Sequence, residues 1–314
     1  MLTRRSARIK TMQMLYALET GQELSTAKAR TELRRRIRQS EDLYHVFMLY
    51  LVEVCQYNLV DVARRSDKFI PTEADKALTT RLSDLRVVRA LAEHEGFRRT
   101  VSERGLYNHV DKSIVKALYQ RLLDTEVFTA FNATETVDAD TEKRITVYIL
   151  KKVIGSDETL EDRLSEHFMQ YVDDHFLLIH SLSKRIKALN DVNRVDPLFI
   201  ALEQQAESAT FAEELLAACM THHDDLMALI EPRLTNWDVD RVARMDVVLL
   251  RMALAEMLHF PFIPVKVTMN EYIDIAKEYS TERSKDFVNG ILDRLLANLR
   301  AEGRIQKKGR GLIE

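Results

Sequence analysis

The spacing of apolar residues is helical along most of the chain. Between Ile263 and Leu296, apolar residues recur at i, i+3, i+4 and i+7 in two runs, which predicts two amphipathic helices. The polar residues between the runs, 280–283, supply turn and capping chemistry. Asn289-Gly290 would suit a hairpin turn, but the apolar rhythm continues through it and predicts a helix. Since Gly in a helix interior costs about 1 kcal/mol relative to Ala, we expect a closely packed neighbouring helix at Gly290.

The same periodicity predicts an all-α protein. The chain has only eight Gly and five Pro, and it lacks long alternating runs of Val, Ile and Thr. Gly21 is expected to end the first helix, and segments 96–109 and 129–138 are expected to be loops. The predicted helices before the C-terminal pair cover residues 4–20, 26–38, 41–66, 73–94, 111–124, 140–154, 158–190 and 197–230.

Charge is distributed unevenly. The net charge is −3, yet residues 1–38 hold ten Lys and Arg against three acids, and residues 300–314 hold five against two. An acidic body with basic ends is compatible with nucleic-acid contact at those ends. The alternative is that Arg34, Arg35, Arg36 and Arg38 form a solvated helix face.

Three groups of residues resemble the family of the bacterial transcription antitermination protein NusB. The C-terminal matches are Pro264-Val-Lys266, Asn270-Glu271, Ala276-Lys277 and Phe287-Val-Asn-Gly290. At the N-terminus, Arg4-Arg5-Ser-Ala7-Arg8 and Gln13-Met-Leu15-Tyr16 resemble the Arg-rich first helix of the family. Leu250-Arg251-Met-Ala253-Leu254 and Glu256 resemble its central helix. The resemblance covers about residues 2–20 and 205–300.

The resemblance implies helical bundles with additional inserted helices. We expect an N-terminal helical region over 1–231, with the Arg-rich first helix and the inserted helices at about 21–200. A C-terminal NusB-like bundle is expected over 232–302, because Pro232 is expected to close the preceding helix. Residues 303–314 read as a basic flexible tail.

The resemblance also implies a function and partners. Members of the family bind the single-stranded boxA element of nascent RNA together with the ribosomal protein NusE. The complex joins transcribing RNA polymerase and supports transcription of ribosomal RNA operons. Arginine side chains can neutralise phosphates and stack on unpaired bases, so an Arg-rich helix suits this chemistry. No catalysis and no cofactor are implied.

Site residues follow from the matching positions. RNA contact is expected from Arg4, Arg5, Arg8, Lys10, Lys277, Tyr279 and Arg283. Partner contact is expected from Tyr16, Asp246 and Arg251. Tyr279 fits equally a helix-end aromatic packed on the bundle, and Tyr16 also fits the buried stripe of its helix. The family often has Gly and then an acidic residue in the turn where this chain has Ser280 and Arg283.

Arg251 lies in a helix that is apolar on almost every side. A lone Arg in that setting must be paired or must reach water along its aliphatic stem. Pairing with Asp246 or Glu256 is one interpretation, and a head group at the mouth of a partner or RNA site is the other. Trp237 is expected to pack under the junction of the bundles rather than to stack on a base.

The usual catalytic and metal-binding patterns are missing from the sequence. His222-His223-Asp224-Asp225 cannot converge on one ion, because neighbouring helical residues point about 100° apart. Of the two Glu-x-x-His pairs that a di-iron site needs, only Glu256 with His259 has the spacing. No phosphate-binding loop or nucleophile motif occurs. We therefore expect neither an enzyme nor a metal site.

Composition favours a cytoplasmic protein without a membrane segment. Cys55 and Cys219 form no spaced pattern, as expected in a reducing compartment. The basic start is not followed by an apolar segment typical of a signal peptide, and charges interrupt the apolar runs. The alternative function, motivated by the insertion and the altered turn, is a helical protein–protein scaffold without RNA affinity.

Overall fold

The computed structural model describes residues 3–21, 23–199, 201–234 and 243–312, with the main chain alone for 201–205. Every regular element in these ranges is helical, so the all-α prediction is confirmed. Trp237 lies outside the described residues. Two compact units divide the chain. We call Arg38–Glu203 the inserted unit, and Leu2–Ile37 with Gln204–Glu314 the split unit.

This division differs from the boundary expected near residue 231. The cores explain the difference, because Phe211, Leu215 and Leu226 are buried in the same cluster as Met12 and Leu292. Residues on both sides of position 231 therefore share one core. The segment inserted into that core is contained in residues 38–203.

The inserted unit consists of short helices around the C-terminal part of one long helix. The first two helices of the chain are α1 (Arg4–Glu19) and α2 (Thr26–Ser66). The others in this unit are α3 (Glu73–Ala77), α4 (Arg86–Glu93), α5 (Glu95–Glu103), α6 (Lys112–Leu123), α7 (Glu126–Asn132), α8 (Ala139–Tyr148), α9 (Glu158–Ser165) and α10 (Tyr171–Lys187). Short 3-10 turns lie at Thr80–Leu82, Leu106–His109 and Asp196–Leu198, and a π-helical turn at Ile149–Ile154 follows α8.

Helix breaks account for most of the differences from the predicted elements. The single helix expected over 73–94 is interrupted after Ala77, and a new helix begins after His94, whose ring accepts the Phe97 amide. Thr125 caps α7, which extends into the segment expected to be a loop over 129–138, and Asp138 caps α8, which begins close to the helix start expected at 140. Side chains that accept an amide hydrogen bond favour a helix start. Conversely, the two helices expected over 26–66 form one continuous helix.

The split unit contains α1, the N-terminal part of α2 and the last five α-helices. These are α11 (Ala201–Thr221), α12 (His223–Leu234), α13 (Arg244–His259), α14 (Val265–Tyr279) and α15 (Ser284–Ala301). α13 is buried from Val248 through Met257, as expected of the central helix of a bundle. Pro232 lies inside the last turn of α12, so it does not close the helix at residue 231. Gly21 has a φ of 126°, which suits the end of α1.

Two features of the C-terminal part differ from what the sequence led us to expect. Gly290 lies in α15 as predicted, but a Cβ atom there would meet nothing within 4 Å, so no neighbouring helix requires this Gly. The tail expected to be flexible is folded against the unit as far as Leu312. Lys307 Nζ donates to the carbonyl oxygens of Phe260 at 3.0 Å and Glu256 at 3.4 Å. These bonds tie the tail to the C-terminal end of α13.

α2 is long and apolar enough to cross a bilayer by length and composition. However, 61% of its most apolar window is buried inside the protein. Burial of this kind is typical of a core helix, and the aromatic residues Tyr44, Phe47 and Tyr50 of α2 belong to the core of the inserted unit. The pattern therefore gives little support to a membrane span.

Candidate nucleic-acid interface

The N-terminal basic residues of α1 have very different environments. Thr3 accepts the Ser6 amide and caps the helix. Arg4 is exposed, and 36% of the Arg5 side chain is exposed. Arg8 and Lys10 are each only 2% exposed. The first turn of α1 can therefore meet a ligand, whereas the following turn belongs to the core.

Arg8 is held by a buried network rather than presented to solvent. Its guanidinium donates two hydrogen bonds to the Glu256 carboxylate, at 2.8 and 2.7 Å. The same carboxylate accepts from the hydroxyls of Thr268 at 2.8 Å and Tyr272 at 3.1 Å. Burial alone would lower the pKa of Arg8, but the hydrogen bonds and charge of Glu256 outweigh it and raise the pKa. This corrects the expectation that Arg8 contacts RNA, and the same burial argues against Lys10.

Arg5 lies beside an acidic stretch of α14. Its guanidinium is 3.0 Å from Glu278, 3.8 Å from Glu271 and 4.0 Å from Asp274. These pairs place the start of α1 next to the end of α14, where Lys277 is exposed. Exposed pairs of this kind contribute about 0–1 kcal/mol, so Arg5 can exchange its carboxylate partners for a phosphate at small cost.

The turn between α14 and α15 is organised by a buried carboxylate. Asp246, only 4% exposed, accepts hydrogen bonds from Ser280 Oγ at 2.7 Å and from Ser284 Oγ at 2.8 Å. Ser284 also accepts the Thr281 amide. The altered turn residue Ser280 thus has a defined structural role. Because it is buried, Asp246 is not itself a contact surface, contrary to its assignment as a partner residue.

Exposed residues flank this turn. Arg283 is exposed at the start of α15, like Lys277 near the end of α14. Tyr279 is partly buried and packs against the core of the split unit. The packing interpretation of Tyr279 is therefore realised, while part of the ring surface is still accessible. Arg5, Lys277 and Arg283 lie around one end of the split unit.

We expect Asp246 to make stability depend on pH. Burial raises the pKa of Asp246, although the two serine hydrogen bonds oppose the shift. The folded state therefore holds the proton to higher pH than the unfolded chain, whose Asp pKa is about 3.9. The free energy of unfolding should consequently fall as pH rises through the interval between the unfolded and the raised pKa.

The variant Asp246→Asn isolates this contribution. Hydrogen-exchange protection of α14 and α15, measured from pH 4 to 7, should decrease with pH more in the wild type than in the variant. Parallel pH profiles for the two proteins would show that Asp246 does not titrate abnormally.

Arg251 is paired, but with neither acid expected from its neighbourhood in sequence. Its guanidinium is 2.6 Å from Glu19 at the end of α1 and 2.8 Å from Nδ1 of His223. The side chain is 4% exposed, so it is enclosed within the unit and does not form the mouth of a site. Tyr16, one turn before Glu19, is 37% exposed and remains available to a partner.

The basic start of α2 is partly neutralised by a clamp that the sequence did not reveal. Arg30 and Arg34 both donate to Glu213 of α11. Burial opposes ionisation of Glu213, but the hydrogen bonds and charges of Arg34 and Arg30 lower its pKa. Arg35 and Arg36 pair with Glu32 on their own helix. The solvated-face interpretation therefore describes much of this segment.

The described residues contain no cluster of three His, Cys, Asp or Glu side chains that could hold a metal ion. His222 stacks on His259, with ring centroids 4.2 Å apart. Glu256 points into the Arg8 network, away from any pairing with His259 as a metal ligand. The exposed cations at the start of α1 and around the α14–α15 turn suit the binding of an anion or of a chain of phosphates.

Comparison with known proteins matches the C-terminal part of the chain, from the end of the inserted unit through most of the split unit. The sequence model described as the NusB family matches residues 182–297. The transcription antitermination protein NusB of Salinibacter ruber is 42% identical over 114 residues, 36% of this chain and 71% of the relative. Those of Chloroherpeton thalassium and Gloeobacter violaceus are 39% and 35% identical over 104 and 118 residues. These matches cover 33% and 36% of this chain, and 49% and 56% of the relatives. No solved structure gave a significant match.

Proposed function

The chain belongs to the NusB family, and we propose that it is a transcription antitermination factor that binds boxA-type single-stranded RNA together with ribosomal protein NusE. Its relatives are named as transcription antitermination proteins. The proposed complex acts on transcribing RNA polymerase in the cytoplasm and supports ribosomal RNA synthesis. The role is one of binding, with no catalytic step and no cofactor.

One structural observation supports RNA binding most directly. Arg4 is exposed and Arg5 is partly exposed at the start of α1, which lies beside the end of α14 because Arg5 pairs with Glu278 at 3.0 Å. Lys277 and Arg283 flank the adjoining turn and are exposed. We propose that these cations contact phosphates and that the accessible part of Tyr279 stacks on an unpaired base.

Partner binding is proposed for the exposed face of α1. Tyr16 is accessible there, and Glu19 one turn later is fixed by the buried Arg251. Aromatic residues are enriched at protein interfaces because they bury a large area with few rotatable bonds. In this interpretation Arg251 and Asp246 act indirectly, by holding Glu19 and the α14–α15 turn in place.

The decisive experiment measures RNA affinity with and without NusE. Fluorescence anisotropy with boxA RNA and a scrambled RNA of equal length should show preference for boxA. NusE is expected to raise the affinity about 5–150-fold, the usual range for coupling between two ligands. By reciprocity, boxA RNA should raise the affinity for NusE by the same factor.

The alternative is a protein–protein scaffold, motivated by the inserted unit and by the acidic residues around Arg5. It predicts that NusE binds while boxA and scrambled RNA bind equally weakly. A salt titration sharpens the distinction, since phosphate contacts make affinity fall with rising salt. Equal and salt-insensitive binding of both RNAs would rule out the proposed RNA function.

A further inference from the structure

A groove of about 940 Å³ lies beside the start of α1. It is lined by the first turn of α1, by α11 and by the segment that follows α13. Arg4 lies over Phe211, with its guanidinium carbon 5.7 Å from the ring centroid. Phe211 packs edge-on against Phe260 at 5.3 Å, and Phe262 is 65% exposed. An exposed aromatic ring therefore shares this groove with an exposed arginine.

The C-terminal strap, residues 303–312, folds against this aromatic segment. Lys307 Nζ donates to the Phe260 carbonyl at 3.0 Å, and the Lys308 amide donates to the Pro261 carbonyl at 2.9 Å. Gly309, with a φ of 53°, places its α-carbon so that a Cβ would be 3.5 Å from the Phe262 ring. The strap therefore lies against the rim of the groove.

Gly311 allows the strap to lie in close contact with Pro261. A Cβ atom at this residue would be 2.0 Å from the carbonyl oxygen of Pro261, closer than any real contact. Gly311 itself is buried, while Lys308 and Arg310 are exposed. Lys308 and Arg310 are the sequence neighbours of Gly309, which lies next to the Phe262 ring, and a Cβ at residue 311 would displace this segment.

The distribution of charge identifies the class of ligand. Arg4, Glu207 and Glu214 line the groove, and the strap cations Lys308 and Arg310 flank Gly309 next to Phe262 at its edge. Phosphates would be repelled by these carboxylates and are expected at the margins. Nucleobases suit the interior, since aromatic rings stack on bases and carboxylates accept from exocyclic amino groups. An acidic peptide would meet the same repulsion without the compensating stacking.

We propose that the groove and the strap extend the RNA site to nucleotides that flank the core element held at α1 and the α14–α15 turn. Arg4 belongs to both surfaces and joins them. Phe262 stacks on an unpaired flanking base, and Lys308 and Arg310 contact its neighbouring phosphates. This inference rests on the proposed RNA function and adds to it a second surface that includes the C-terminal strap.

The test uses the full chain with NusE and two RNAs, the boxA element alone and the same element with single-stranded flanks. Wild type should bind the flanked RNA more tightly. Phe262→Ala is expected to weaken flanked binding about tenfold, the scale of one lost base stack. Lys308→Ala with Arg310→Ala should lower its log–log salt slope by about 1.4. Neither variant should change binding of the short RNA, and all three side chains are exposed, so folding is preserved.

Two further variants separate position from charge. Lys112→Ala with Lys116→Ala removes two exposed cations from the inserted unit and should leave both affinities unchanged. Gly311→Ala keeps every cation but displaces the strap, so it should weaken the flanked RNA selectively. Equal loss in the Lys112 and Lys116 control, or equal binding of both RNAs by all variants, overturns the inference alone. A wild type that binds neither RNA overturns the proposed function and the inference with it.

Discussion

Replacing Arg8 by Ala is expected to destabilise the split unit by about 3–5 kcal/mol, the usual cost of removing one partner of a buried ion pair. The carboxylate of Glu256 is completely buried and accepts two hydrogen bonds from Arg8. Without them it keeps only the hydroxyls of Thr268 and Tyr272. The Glu256 carboxylate would then be a buried charge without its arginine partner at the contact between α13 and α14. These two helices carry family motifs.

Hydrogen exchange resolved by peptide is the appropriate measurement, because the two units need not unfold together. In Arg8→Ala, the opening free energy of peptides from α13 and α14 should fall by the same amount, about 3–5 kcal/mol. Arg5→Ala is the matched control on the same helix, since its ion pairs are exposed and are expected to contribute about 0–1 kcal/mol. Similar protection in the two variants would mean that the Arg8 network contributes little to stability.

Removing the four cations proposed to contact the core RNA element should weaken boxA binding roughly 10²–10³-fold at 0.1 M salt. The variant carries Ala at Arg4, Arg5, Lys277 and Arg283, all outside the buried core. Each lost phosphate contact lowers the log–log salt slope by about 0.7 on single-stranded RNA, so four should lower it by about 2.8. Arg8 is left intact, because its removal would confound binding with unfolding.

A control variant that loses the same number of positive charges elsewhere in the chain distinguishes local phosphate contacts from the effect of net charge. Four lysines of the inserted unit, Lys112, Lys116, Lys152 and Lys187, are exposed and can be changed to Ala together. This control should preserve the salt slope, because none of these four lysines is among the residues proposed to contact RNA. Unchanged slopes in both variants would assign the N-terminal arginines to a solvated face and favour the scaffold alternative.

The sequence predicts a helix more clearly when its apolar residues repeat over more turns. The rhythm of α14 and α15 was readable because their buried stripes repeat over several turns. In the inserted unit, α4 and α5 have eight and nine residues, and His94 separates them. So few turns carry little periodicity, and a His cap is not among the common helix starts. Helix α5 was therefore missed and most of its residues were expected to form a loop, whereas the expected helix end at residue 94 agrees with the break.

The family motifs indicated where the site residues lie in the sequence, but they did not indicate which of these residues are exposed. Arg4 and Arg8 are four residues apart and share a helix face, yet one is exposed and the other buried. The difference comes from Glu256, which lies 248 residues beyond Arg8. Likewise, Arg251 finds Glu19 and His223 rather than the nearby acids Asp246 and Glu256. Helical spacing cannot identify partners on other helices.

The amino-acid sequence by itself determined the all-α class, the family and the helices of the matching region, because periodicity and motifs are local properties of the chain. Only the tertiary structure decided which cations reach solvent. Burial of Arg8, the hold of Asp246 on the α14–α15 turn and the seating of the basic strap beside Phe262 each depend on contacts between distant segments. Arginines that look alike in the sequence differ in the fold, because burial costs desolvation energy and is tolerated only where a partner such as Glu256 offsets it.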